Sequence, residues 1–224
     1  MLRKRLLSLI VLSCAFIACN NTTNDTDKNS ADSAAHVAKT GATKNILFFG
    51  TSLTAGYGLD PSEAYPTLIQ NKIDSLKLPY KVINGGLSGE TSAAGKSRIP
   101  WLLKQKIAIF VLEMGANDGL RGVSVAEATK NMQSIIDQVK AKYPNAKMII
   151  AGMQMPPNMG SNYTTDFKEM YPKLAAKNNM VLVPFLLDKV GGIAKLNQKD
   201  GIHPTAEGAK ILAENVWVHL KPQL

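Results

Sequence analysis

The chain has 224 residues, 45% apolar and 6% aromatic, with 26 Lys+Arg against 17 Asp+Glu and a formal net charge of +9. That is enough apolar material for a medium-sized domain with its own core, which excludes a wholly disordered chain and a disulfide-stapled miniature. Both cysteines, Cys14 and Cys19, lie near the start, and His36, His203 and His219 form no pair at metal-ligand spacing, so no metal or other cofactor is expected.

Arg3-Lys4-Arg5 followed by the uncharged run Leu6–Ala18 reads as an export signal. The run has 13 residues, too few for a comfortable membrane-spanning helix and suited to the apolar part of a leader, so removal of residues 1–18 is expected. Ile17-Ala18-Cys19 resembles the lipobox of bacterial lipoproteins. That implies diacylation of Cys19, contact with a membrane through the lipid, and a protein facing the periplasm. Phe16 and Ile17 depart from the usual lipobox residues, and Val11-Leu12-Ser13-Cys14 offers a second site. An ordinary secretory leader, giving a periplasmic or secreted protein, is the alternative. Residues 19–44 read as a flexible tether: from Asn20 to Lys44 the only aliphatic side chain larger than Ala is Val37, too little apolar surface to offset the entropy of ordering. His36 falls there and is not a catalytic candidate. Without the leader, 23 basic residues face 17 acidic ones, and no basic cluster is interleaved with aromatics, so no nucleic-acid partner is expected.

From residue 45 to 224 one domain is expected. Asn45–Phe49, Lys81–Ile83, Ile107–Met114, Lys147–Met153 and Met180–Phe185 are apolar runs with little alternation, the pattern of strands covered on both faces. Helices are predicted over Ser62–Leu76, Ser92–Leu103, Ser124–Lys140, Tyr163–Ala176 and Thr205–Leu220, the last taken to begin with Pro204, a natural first helical residue. Five such β-α units give an α/β domain: a parallel sheet between two helical layers, with any chemistry gathered beyond the carboxyl ends of the strands.

Polar turns follow those ends. Gly50-Thr51-Ser52 follows the first strand, Asn84-Gly85-Gly86-Leu87-Ser88-Gly89 the second, and Gly115-Ala116-Asn117-Asp118-Gly119 the third; Asp200-Gly201-Ile202-His203-Pro204 precedes the last helix. Together they fit acyl transfer. A serine attacks a carbonyl well only when a base takes its proton, and imidazole is the side chain suited to that near neutrality. Ser52 is therefore the candidate nucleophile, His203 its base, and Asp200 the carboxylate that orients the ring. The backbone N–H groups of Ser52 and Gly89 and the side-chain amide of Asn117 are the candidate oxyanion donors.

The order Ser, Gly, Asn, Asp-x-x-His, with Phe48–Gly58, Ser88–Ser92, Glu113–Gly122 and Asp200–Pro204 as its blocks, resembles the SGNH or GDSL hydrolases, most of all their bacterial arylesterase and thioesterase/lysophospholipase branch. The resemblance spans about residues 45–220. It implies a flavodoxin-like three-layer α/β/α fold with strand order 2-1-3-4-5, the same catalytic roles, and small acyl-ester, thioester or lysolipid substrates. Thr51 stands where the family usually has aspartate, and Ala116 where a glycine is common. Gln154–Gly160 resembles the substrate-lining loop of the thioesterase branch, which marks Met155, Pro157 and Asn158 as candidate substrate contacts. Carbohydrate O-deacetylation and a silent lipid-anchored binding module remain alternatives. A nucleotide-binding loop does not: Gly56-x-Gly58 has no following Gly-Lys-Ser/Thr, and Pro61 comes where a phosphate-facing helix would begin.

Overall fold

A computed structural model describes the protein over residues 42–224. The leader, Cys14, Cys19, His36 and the tether as far as residue 41 lie outside the described residues. Five parallel strands form one sheet: β1 (Lys44–Gly50), β2 (Tyr80–Gly86), β3 (Ile109–Leu112), β4 (Lys147–Ala151) and β5 (Val181–Val183), in the order β2-β1-β3-β4-β5. The expected three-layer architecture and strand order hold. Ile46–Phe49, Phe110–Leu112 and Ile149–Ala151 are all fully buried, which is why these segments show no alternation of apolar and polar residues. The two edge strands, β2 and β5, are partly exposed along most of their length.

Among the described residues seven helices connect and cover the strands: α1 (Ser52–Ala55), α2 (Tyr65–Ser75), α3 (Ser92–Leu102), α4 (Ala116–Leu120), α5 (Val125–Lys142), α6 (Ser161–Asn178) and α7 (Ala206–Leu220). α2 packs on α7 over one face, while α3 packs on α5 and α5 on α6 over the other. Thr91, Ser124 and Thr205 cap α3, α5 and α7 by accepting the N–H of the residue three positions on. α2 begins three residues later than its apolar spacing predicts, because Ser62 is held by Asp60 Oδ1 in a turn and Pro66 fits the second helical position. β2 runs on through Asn84-Gly85-Gly86, paired with Phe48–Gly50; glycines carry no strand signal, so the sequence stops the strand at Ile83. β3 ends at Leu112, short of the expected Met114, as the chain turns through Gly115 at φ 110°. The turns after β1 and β3 each contain a helical turn, α1 and α4, where only a loop is expected.

All these connections leave from the carboxyl edge, and the segment after β5 returns there. It ends in a turn in which Asp200 Oδ1 accepts the N–H groups of Ile202 (2.9 Å) and His203 (3.0 Å). Gly201 in that turn has φ +72° with open space where a side chain would sit, so the backbone angle is what requires glycine. Gly201→Ala is expected to cost about 1–2 kcal/mol in denaturant unfolding, and Gly201→Asn less, because asparagine tolerates the left-handed region.

Candidate active site

Ser52 sits on the first helical turn after β1, nearly buried at 9% exposure. Its Oγ lies 2.8 Å from His203 Nε2, and His203 Nδ1 lies 2.7 Å from Asp200 Oδ2. The three candidates, 151 residues apart at the extremes, thus form one hydrogen-bonded series. The Asp200 carboxyl is held down to about 2, first by the hydrogen bond from the His203 ring and then by the backbone N–H groups of His203 and Ile202. An ionised carboxylate can only accept, so Nδ1 carries the ring proton and the Nε2 lone pair faces the Ser52 hydroxyl. Asp200 and His203 are oriented by the same turn, one carboxyl oxygen taking backbone and the other taking the ring.

Two further contacts keep the His203 turn against the Ser52 turn. The Tyr57 ring lies 4.6 Å from the imidazole, centre to centre. The Gln198 amide donates to Tyr57 O at 2.7 Å and to Pro204 O at 2.9 Å, and its backbone N–H donates to His203 O at 2.7 Å.

The oxyanion candidates lie on neighbouring turns. The Leu87 N–H bonds to Gly50 O, tying the Gly89 loop to the nucleophile turn. Asn117 Nδ2 donates to Glu90 O at 3.0 Å, which leaves its second amide hydrogen for another acceptor. Gly89, at φ +78°, and Ser52 have backbone N–H groups that no acceptor among the described residues takes. The loop is braced from behind: Arg98 holds the buried Glu90 carboxylate through Nε (2.6 Å) and Nη2 (2.5 Å), and also reaches Gly85 O (2.9 Å). Asp118, the charged neighbour of Asn117, is buried and engaged by Ser92 N (2.8 Å) and Ser92 Oγ (2.6 Å).

The substrate-loop candidates separate. Met155 is buried against Gly119 of α4, where even a Cβ would collide with its sulfur. Pro157 and Asn158 are exposed on a 3-10 turn, Pro157–Met159, between β4 and α6.

Several site residues are not legible as such in the sequence. Glu113, fully buried at the end of β3, accepts from the Thr51 N–H at 2.7 Å, Thr51 Oγ1 at 3.0 Å and Thr54 Oγ1 at 2.9 Å. Burial pushes its pKa up, and the Thr51 and Thr54 donors oppose that shift. An acid at the end of an otherwise apolar run, Ile107–Met114, is the signal that could have found it. Gln198 and Arg98 carry no such signal.

Residues 48–211 match the GDSL-like Lipase/Acylhydrolase family. The chain is 41% identical to "Esterase TesA" of Pseudomonas aeruginosa over 184 residues, covering 82% of this chain and 90% of that one. It is 36% identical to "Thioesterase 1/protease 1/lysophospholipase L1" of Escherichia coli K12 over 182 residues, covering 81% and 85%. The crystal structure of the psychrotrophic esterase EstA from Pseudoalteromonas sp., inhibited by monoethylphosphonate, superimposes with a TM-score of 0.75 at 30% identity, covering 80% of this chain and 97% of that one. With the family's blocks on the turns described above, the chain belongs to the GDSL-like lipase/acylhydrolase family, the SGNH hydrolases.

Proposed function

We propose that this protein hydrolyses carboxylic esters or thioesters of small acyl or lysolipid substrates through an acyl-enzyme on Ser52. The observation that carries the reading is the series from Ser52 Oγ through the His203 ring to Asp200, with spacings of 2.8 and 2.7 Å. As Oγ attacks the carbonyl carbon, its proton passes to His203 Nε2, and Asp200 stabilises the imidazolium that forms. The carbonyl oxygen gains the negative charge and accepts from the N–H groups of Ser52 and Gly89 and the free amide hydrogen of Asn117. Collapse breaks the carbon–oxygen or carbon–sulfur bond, His203 returns the proton to the leaving alcohol or thiol, and water repeats the sequence to free the acid. Pro157 and Asn158, exposed on the turn after β4, are the acyl-chain contacts of this reading, and Met155 lies buried behind them against Gly119.

The same proposal takes residues 1–18 as an export signal and Cys19 as a diacylated anchor, with the segment from residue 20 up to β1, which begins at Lys44, as the tether to a periplasm-facing domain. Arg3-Lys4-Arg5, the short apolar run and Ile17-Ala18-Cys19 support it. Among the described residues no helix is long and apolar enough to cross a membrane. Incorporation of a palmitate analogue is expected in the wild type and lost in Cys19→Ala; label retained by that variant would remove Cys19 as the site.

Hydrolysis of p-nitrophenyl acetate and butyrate is expected to vanish in Ser52→Ala together with covalent labelling by an organophosphonate. Equal rates in the two proteins would end the esterase reading. The kcat/KM should fall by about one decade per pH unit as the imidazole becomes protonated, since only the neutral ring accepts the proton. Asp200, held near 2, stays ionised through that range and adds no second step. Asp200→Asn should keep the acid limb and lower the plateau by about 10⁴-fold, because the amide no longer fixes the ring tautomer.

A further inference from the structure

Glu113 is the largest investment of buried polarity near the site, and the acyl-transfer steps do not use it. Its N–H bonds to Phe49 O, so it leaves β3 directly beside the exit of β1. The carboxyl then reaches under the nucleophile turn. Oε2 accepts the Thr51 N–H and the Thr54 hydroxyl, Oε1 accepts the Thr51 hydroxyl, and Tyr65 OH lies 2.9 Å from Thr54 Oγ1 behind them. Donors and acceptors balance if Tyr65 donates to Thr54, Thr54 to Glu113 and Thr51 to Glu113, leaving no hydroxyl hydrogen unused. No Lys or Arg among the described residues pairs with the carboxyl. The packing is equally close. A Cβ on Gly50 would strike Thr54 Oγ1 and come within 2.6 Å of Glu113 Oε2, so the glycine two residues before Ser52 is required by the space this carboxyl and Thr54 occupy.

These contacts flank Ser52 on both sides along the chain. Thr51 precedes it and Thr54 lies within the single turn of α1 that it begins, a helix too short to hold its shape by its own hydrogen bonds. We propose that Glu113 is a positioning residue for the nucleophile: its two carboxyl oxygens clamp Thr51 and Thr54 and thereby fix the Ser52 Oγ and N–H against His203 and the substrate carbonyl. The proposal rests on the reading of Ser52 as nucleophile. It assigns Thr51, where the family usually has aspartate, the part of a neutral donor to a buried acid. Glu113 itself touches no reacting atom.

The test compares Glu113→Leu, which keeps the volume and removes both acceptors, with Glu113→Gln. In the latter the amide oxygen can take the place of Oε2 and the amide nitrogen can donate to Thr51 Oγ1. Rates on p-nitrophenyl butyrate are normalised to sites titrated with organophosphonate, alongside the rate of phosphonylation and the thermal midpoint. Glu113→Leu is expected to lower kcat by about 100-fold with KM nearly unchanged, the scale of a misplaced reacting group. Phosphonylation should slow in parallel, and Glu113→Gln should stay within about tenfold of wild type, its bonds being neutral where Glu113 can make charge-assisted ones. A purely structural role would move the thermal midpoint but not kcat per titrated site. Should Glu113→Leu not fold, Thr51→Val and Thr54→Val each remove one hydroxyl donor without opening a cavity, and both are expected to lower kcat at constant KM. Wild-type kcat per site in Glu113→Leu, or in both valine variants, would overturn the proposal, as would Glu113→Gln falling as far as Glu113→Leu. Ser52→Ala run beside them separates the two readings: activity there refutes the nucleophile, whereas silence there with normal Glu113 variants refutes the clamp alone.

Discussion

The register between β1 and β3 is the constraint on which the site depends. Phe49 pairs with Leu112, so Gly50 and Glu113 leave the sheet side by side, one leading to Ser52 and the other to Asn117. Because successive side chains along a strand point to opposite faces, a slip of one residue would turn the Glu113 carboxyl away from Thr51 and Thr54. The register is secured by what lies inside it: Ile46–Phe49 and Phe110–Leu112 are buried on both faces between two helical layers. Core packing and site geometry are therefore one property of the molecule.

Four carboxylates stand near the carboxyl edge, and each is satisfied differently. Glu90 is neutralised by the two-point grip of Arg98, which braces the Gly89 loop. Asp118 is buried on the N–H and hydroxyl of Ser92, which joins α3 to α4 and turns a negative charge away from the Asn117 amide. Glu113 relies on neutral donors alone. Asp200 keeps a side-chain exposure of 38%, so its ion pair with a protonated His203 is screened by solvent and adds little to stability; its value lies in aiming the ring. No buried side-chain nitrogen or oxygen among the described residues is left without a partner. A buried polar group without one would cost about 1–3 kcal/mol, and so complete a network rigidifies the turns it joins.

Thr51 takes its meaning from this network. An aspartate at the same place would set a second carboxyl against the buried Glu113, and two like charges at such range keep one proton between them. Threonine supplies a hydroxyl donor and avoids that conflict. Ala116, the other departure from the family pattern, opens α4 and is partly buried against the core.

Local chemistry was legible in the sequence wherever a residue type and its spacing suffice. The runs Ile46–Phe49 and Ile149–Ala151 announced buried strands, and Asp200-Gly201-Ile202-His203 announced a turn that couples an acid to an imidazole. The sequence order of the blocks named the family. The strand through Asn84-Gly85-Gly86 and the short helices α1 and α4 were not legible, since glycines and single turns have no periodicity to read. Nor were Glu113, Gln198 and Arg98, whose parts depend on partners 62, 141 and 8 residues away in the chain. Composition and spacing thus determined which groups are available for chemistry and that a parallel α/β sheet would carry them. Only the tertiary structure decided how those groups are held, because a hydrogen bond between distant segments requires the strands to be in register before donor and acceptor can meet.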